Sequence, residues 1–288
     1  MTTLAVNREK ANAAAMVSGE FALTAEDFRD IARILYDASG IHLEEAKASL
    51  VYSRLAKRIR HLGLTSFEAY RARLRGPQAA EERTALLSAL TTNVTRFFRE
   101  PHHFDDLRRI VREELGPRAR AGERVRLWSA GCSLGHEPYS MAMVILSELP
   151  EAPRLDLRIL ATDIDPSVVE KARAGQYPLQ DVEPIPADLA ERWLRRGPDQ
   201  AVIEPEPRAL LSFGVLNLNG PWPVKGPFDV IFCRNVAIYF DDTTQARLWT
   251  RFASALAPDG RLFIGHSERA EVSDLRSAGL TVYRRSEA

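Results

Sequence analysis

The chain holds 288 residues, 45% apolar and 27% charged, with 39 Lys or Arg set against 39 Asp or Glu and a formal net charge of zero. That balance excludes bulk electrostatic capture by nucleic acid or anionic membrane and leaves such work to local basic clusters. No apolar run reaches the ~20 residues that cross a bilayer, and Cys132 and Cys233 sit in apolar strand-to-turn segments rather than a disulfide framework, as suits a reducing cytosol.

This length suits a small domain plus a larger one. The opening MTTLAVNREKANAAAM places charges ahead of only a weak apolar stretch, and residues 1–22 are expected to be a flexible extension. A helical domain over 23–90 follows. Thr24 and Asp27 resemble an acidic capping box, ahead of Phe28, Ile31, Ala32 and Leu35 at helical spacing. A second helix over about Glu44 to Leu62 carries the stripe Val51, Leu55, Ile59, Leu62 on one side and Arg54, Lys57, Arg58 and His61 on another. Between Val51 and Arg75 stand seven Lys or Arg and one acidic residue, Glu68. The basic face is either a solvated flank or a docking surface for an acidic partner.

Ala79 to Thr91 reads as a further helix, leading into Asn93-Val94-Thr95-Arg96-Phe97-Phe98-Arg99, a ligand-contacting turn or a helix cap with core phenylalanines. Pro101 starts a helix that runs to Leu115, where Gly116-Pro117 is expected to end it. His102 and His103 are adjacent, diverge by about 100 degrees on a helix, and cannot share a metal ion. No metal site is expected.

The stretch Leu127 to Met143, LWSAGCSLGHEPYSMAM, joins an apolar strand to a glycine turn and a helix opened by Glu137 and Pro138. Strand, turn and helix N-terminus make a cradle for a nucleotide-like ligand. The spacing is not G-x-G-x-x-G, and Glu137 would repel a pyrophosphate, so a ligand without phosphates is favoured over a dinucleotide. After a strand at Leu155 to Leu160, Asp163 is placed to bind two ribose hydroxyls, while Asp165 is the N-cap of the next helix. Proline-rich Tyr177 to Pro207 reads as an inserted lobe, and Leu210 to Leu218 as a strand with Asn217 at its carboxyl end. Phe228 to Cys233 is a central buried strand that delivers Arg234-Asn235-Val236 and Tyr239. A helix from Thr243 to Leu256, closed by Pro258-Asp259-Gly260, precedes a strand at Leu262 to Gly265 and a terminal strand at Leu280 to Tyr283. The alternation argues a doubly wound α/β sheet with its site at the carboxyl edge.

Taken together, NVTRFFRE, WSAGCSLGHEPYS, ATDID, VLNL, FDVIFCRNVAIYF and LFIGHSE resemble the motif set of the CheR family of chemotaxis receptor methyltransferases. The resemblance covers nearly all of Thr24 to Tyr283. It implies a small all-α domain (23–90) and a Rossmann-like S-adenosylmethionine methyltransferase domain (91–288) with a small β-subdomain inserted at about 177–212. It also implies methyl transfer to glutamate side chains in the cytoplasmic helices of chemoreceptors, with S-adenosylhomocysteine as product. Carried across, the cofactor contacts are Asn93, Thr95, Arg99, Glu137, Asp163, Asn217, Leu218, Arg234 and Asn235, with Tyr239 near the transferred methyl. Arg234 and Tyr239 are the expected catalytic residues, while His136, His266 and Glu268 are not required.

The chemistry agrees with that likeness. A glutamate with a pKa of about 4.3 is already ionised at neutral pH and attacks a sulfonium methyl without a base, needing alignment and loss of water. Arg54, Lys57, Arg58 and Arg60 would steer acidic receptor helices. This chain has Leu134 and His136 where the family pattern suggests a Thr and an acidic residue. Its lobe around Leu194 to Gln200 is shorter than in members that tether to a receptor's C-terminal pentapeptide, so independence of that tether is expected. A cytoplasmic enzyme with neither nucleic-acid partner nor membrane insertion is the reading. The alternatives are an NAD-dependent oxidoreductase, disfavoured by the glycine spacing, a nucleic-acid methyltransferase, and a non-catalytic S-adenosylmethionine-sensing scaffold.

Overall fold

The computed structural model describes residues 15–77 and 79–286. They form two compact units, one built from the chain up to Thr92 together with Tyr239–Asp241, the other from Asn93–Ile238 with the chain from Asp242 onward.

In the first unit β1 (Ala15–Val17) pairs antiparallel with β2 (Leu23–Thr24). The extension expected over 1–22 is therefore ordered strand by Ala15, and residues 1–14 lie outside the described residues. Thr24 Oγ1 accepts the Asp27 N–H at 3.1 Å while Asp27 Oδ2 accepts the Thr24 N–H at 3.1 Å, the reciprocal cap that starts α1 (Ala25–Ser39). The second helix, α2, spans Ala48–His61, later than expected because a short 3₁₀ turn, Glu45–Lys47, precedes it. Its stripe Val51, Leu55 and Ile59 is fully buried. The unit continues with α3 (Phe67–Arg73) and α4 (Ala79–Leu90).

The second unit opens with α5 (Pro101–Ile110), which does not stop at Gly116-Pro117. A π-helical turn, Val111–Leu115, carries it into α6 (Gly116–Arg120). The Gly116 N–H reaches back five residues to the Val111 carbonyl, an oxygen that a Cβ on residue 116 would approach to 2.7 Å. Pro117 then falls in the first turn of α6, where its missing N–H leaves no bond unmade.

Next come β3 (Val125–Ala130), α7 (His136–Glu148), β4 (Leu157–Asp163) and α8 (Pro166–Ala174). The expected lobe is a three-stranded antiparallel sheet of β5 (Gln176–Pro178), β6 (Leu194–Arg196) and β7 (Gln200–Ile203), ordered β5-β7-β6, with α9 (Ala187–Trp193) between its first two strands. After α10 (Pro205–Ala209) follow β8 (Leu211–Val215), β9 (Phe228–Cys233), α11 (Asp242–Ala255), β10 (Leu256–Ile264), β11 (Leu275–Gly279) and β12 (Val282–Arg285).

Among the described residues the main sheet has seven strands, ordered β11-β12-β10-β9-β3-β4-β8 and parallel from β8 through β10. Two terminal elements differ from expectation. Pro258-Asp259-Gly260 lies within β10, as an irregularity between Leu256 and Arg261, and the last strand is one arm of a hairpin with β11. The first arm buries only Leu275, so it lacks the apolar alternation that reveals a strand.

The sheet is covered on its apolar faces. Trp128, Phe232 and Phe263 are fully buried, each worth about 2–3 kcal/mol of burial. The Trp128 indole N–H donates to Thr162 Oγ1 at 2.9 Å, so this buried indole leaves no polar atom orphaned. Strand order reverses between β3 and β9, and the crevice outside their carboxyl ends is where open α/β sheets bind ligands.

Candidate functional site

The site is built from the turns that leave β3, β4 and β9. Gly131 ends β3 at φ 90°, and a Cβ there would stand 2.3 Å from Val236 Cγ2, so glycine alone fits. The N–H groups of Gly131 and Cys132 both donate to the Thr162 carbonyl at 2.8 Å. Ser133 follows at φ 47°, and its N–H donates to Asp163 Oδ2 at 2.8 Å. Asp163 Oδ1 receives the Asp165 N–H at 3.0 Å. Burial pushes the Asp163 carboxyl above the usual carboxylate range, opposed by the backbone N–H groups of Asp165 and Ser133. A carboxylate has about four lone-pair positions, so Asp163 retains capacity for a ligand. Asp165 caps α8 by accepting the Ser167 N–H at 2.9 Å, as expected.

Glu137 enters from the first turn of α7. Its Oε1 accepts Ser129 Oγ at 2.7 Å and its Oε2 accepts Arg234 Nη1 at 3.2 Å. Burial raises its pKa, with Arg234 and Ser129 pulling the other way. The Arg234 side chain is only 2% exposed. Beyond Glu137 it donates to Glu100 Oε2, at 3.3 Å from Nε and 3.2 Å from Nη2, and to the Arg99 carbonyl. Glu100 sits at φ 57° before α5, and its Oε1 lies 2.9 Å from His266 Nδ1. Burial alone would raise the Glu100 pKa, but His266 and Arg234 outweigh it and hold the carboxyl down to about 2. Arg234, expected to be catalytic, is thus a buried cation clamped between two carboxylates.

The other expected residues divide. Asn93 meets the glycine turn, its Oδ1 accepting Ser133 Oγ at 3.4 Å. Arg99 lies on the same 93–99 segment as Thr95 and folds back onto the Val94 carbonyl at 3.1 Å. Asn217 organises the turn after β8, with Oδ1 accepting the Asn219 N–H at 2.9 Å. Buried Leu218 uses its carbonyl to hold Trp222 Nε1 at 3.1 Å and Arg251 Nη1 at 2.6 Å. Asn235 follows β9 at φ 59°. Phe97 is core, packed on His136 and Tyr177 at 4.6 and 4.9 Å between centroids. Tyr239 belongs to the first unit, where its carbonyl accepts the His42 N–H at 2.8 Å.

The four expected docking residues are not equivalent. Arg54 Nη1 donates to the carbonyls of Leu90 and Thr91 at 2.9 Å each, capping the end of α4. Arg58 makes a two-pronged pair with buried Glu82 at 2.9 and 2.8 Å. Both serve their own unit's packing. Lys57 is exposed, and Arg60 is exposed beside an exposed Glu20 at 2.6 Å, a kind of pair worth little.

Two structural roles escaped the sequence reading, which named Glu268 only as not required and Tyr177 only as the start of the lobe. Buried Glu268 accepts four backbone N–H groups, and Tyr177 of β5 donates its hydroxyl to the Leu134 carbonyl in the glycine turn at 2.8 Å. Apart from Gly265, their partners are distant in sequence, so spacing carries no signal for either role. Among the described residues no group of three or more His, Cys, Asp or Glu is arranged to hold a metal ion, and no helix is long and apolar enough to cross a membrane.

Comparison with known proteins matches residues 93–282 to a family described as CheR methyltransferase, SAM binding domain, and residues 26–91 to CheR methyltransferase, all-alpha domain. The chain is 48% identical to the probable chemotaxis protein methyltransferase of Rhizobium etli, over 87% of this chain and 96% of that one. It is 43% identical to chemotaxis protein methyltransferase 2 of Pseudomonas aeruginosa, over 92% and 94%. Against the chemotaxis protein methyltransferase of Escherichia coli the identity is 42%, over 91% of both.

Proposed function

The chain belongs to the CheR family of methyltransferases, and from that premise we propose that it esterifies glutamate side chains on the cytoplasmic helices of chemoreceptors. It is an S-adenosylmethionine-dependent methyltransferase of chemotaxis. The observation that carries the reading is a pair of carboxylates, buried Asp163 and mostly buried Glu137, flanking a glycine turn that is wrong for phosphate. That donor set fits S-adenosylmethionine, which has a ribose diol and an ammonium group but no phosphate. When bound, the cofactor supplies an electrophilic methyl on a sulfonium.

The chain's own residues supply position. Asp163 has capacity left for the diol, the rest being held by the backbone N–H groups of Ser133, Asp165 and Ile164. Glu137, fixed by Ser129 and Arg234, offers its negative charge to the ammonium. Arg99, on the loop with Asn93 and Thr95, suits the cofactor carboxylate. Asn217, Leu218 and Asn235 complete the set. An acceptor glutamate, already ionised, requires no proton abstraction and is limited by alignment and desolvation. Arg234 acts through Glu137, and Tyr239 is the residue whose loss of a hydroxyl, in Tyr239→Phe, tests a direct part in methyl transfer.

Exposed Lys57 and Arg60 are the residues of the basic face that remain for steering acidic receptor helices, in a cytoplasmic enzyme independent of a pentapeptide tether. Incubation with methyl-labelled cofactor and a receptor cytoplasmic fragment or RNA tests the whole reading. Label in the receptor, released by mild base as an ester should be, is expected. Base-stable label, or label in RNA, overturns it.

A further inference from the structure

Glu268 follows β10 in the short turn after Gly265 and is 2% exposed. Its Oε1 accepts the N–H groups of Val236 and Ala237 at 2.9 and 2.7 Å, and its Oε2 those of Asn235 and Gly265 at 2.9 and 2.5 Å. Four donors fill a carboxylate's lone pairs, so this group has nothing left for a ligand. A buried anion so enclosed serves the backbone around it. That backbone is the turn after β9, with Asn235 at φ 59°, a conformation a non-glycine residue holds only when its surroundings enforce it.

The same turn carries two contacts into the cofactor cradle. Val236 packs where a Cβ on Gly131 would stand 2.3 Å away, and neighbouring Arg234 reaches Glu137. Gly265 completes the fit, because a Cβ there would come within 2.6 Å of Asn235 Nδ2 and 2.9 Å of Glu268 Oε2. From these contacts we infer that Glu268 is a positioning residue for cofactor binding, fixing the 235–237 turn so that Val236 and Arg234 hold the glycine turn and Glu137 in place.

Glu268→Gln keeps the size but swaps one acceptor oxygen for an NH₂ that faces two N–H donors. Calorimetry with S-adenosylhomocysteine, run well below the unfolding temperature, should show about tenfold weaker binding. Hydrogen exchange at residues 235–237 should accelerate, and KM for the methyl donor should rise more than kcat falls. A merely structural role predicts the opposite: a smaller active fraction, with Kd and KM unchanged. Unchanged Kd in a folded Glu268→Gln protein overturns the inference. If that variant does not fold, Val236→Ala decides, with about threefold weaker binding expected and unchanged binding overturning it. Failure of the wild-type chain to bind S-adenosylhomocysteine would overturn the cofactor reading, and this inference with it.

Discussion

Two turns on the carboxyl edge use the same device for different ends. After β3, a buried carboxylate on the neighbouring strand, Asp163, holds Ser133 at positive φ through one N–H. After β9, a buried carboxylate beyond the neighbouring strand, Glu268, holds Asn235 at positive φ and takes four. The difference is spare capacity. Asp163 keeps lone pairs that a ligand could take, whereas those of Glu268 are filled by the chain itself. Counting the donors a buried carboxylate already receives is the criterion on which the two proposed roles, binding and positioning, rest.

Asp163→Asn is the strongest test of that contrast. The amide keeps an acceptor for Ser133 but loses the charge and half the acceptor capacity, so S-adenosylhomocysteine affinity should fall by about a hundredfold, or about 2.7 kcal/mol, on calorimetry. This exceeds the effect of Glu268→Gln, and a reversed order would break the comparison. Gly131→Ala strikes where the two turns touch. A Cβ at φ 90° and 2.3 Å from Val236 should cost about 2 kcal/mol in urea unfolding. Combined with Val236→Ala the loss should be less than additive, because the small side chain relieves the clash.

A further contrast is the acid response of the two sides of the edge, where opposing groups partly cancel. His103 packs against Phe232 and Phe263 behind the β9–β10 side, and burial, then the charges of Arg234 and His102, lower its pKa from 6.5 to about 3. His136 packs between Phe97 and Tyr177 behind the glycine turn, and burial lowers it to about 4. Both folded values lie below the unfolded one, so as pH falls through 6.5 the unfolded chain binds protons first. Stability present above pH 6.5 is lost on acidification, at up to about 1.4 kcal/mol per pH unit per histidine, until each folded value is reached. Asp163 and Glu137, whose pKa values burial raises, work in the opposite direction and blunt the loss. Urea unfolding of the ligand-free protein between pH 7 and 5 should show the decline, and His136→Gln should shallow it; an equal slope in both proteins would remove His136 from this account.

Much of the architecture was legible because it is local. The Thr24 and Asp27 cap, the strand content of Phe228–Cys233, the glycine turn and the Asp165 cap each depend on residues within a few positions of one another. Asp163 was legible for the same reason, standing at the end of the strand after the turn. The β11 arm was not, because an exposed edge strand carries no apolar period. Nor was the continuation through Gly116-Pro117, since a π turn shifts the backbone pairing by one residue without a sequence mark.

What the sequence determined by itself was most of the order of elements and the strand, glycine turn and helix of the cradle, all set by short-range backbone preference and local charge. What only the tertiary structure decided was where long polar side chains end. Arg54 caps another helix, Arg58 pairs with Glu82, Arg234 bridges Glu100 and Glu137, and Glu268 gathers N–H groups more than thirty residues away. A guanidinium or carboxylate at the end of several rotatable bonds takes whichever partner the folded chain brings within about 3 Å, and periodicity, which records only the direction in which a side chain departs, cannot say which one that is.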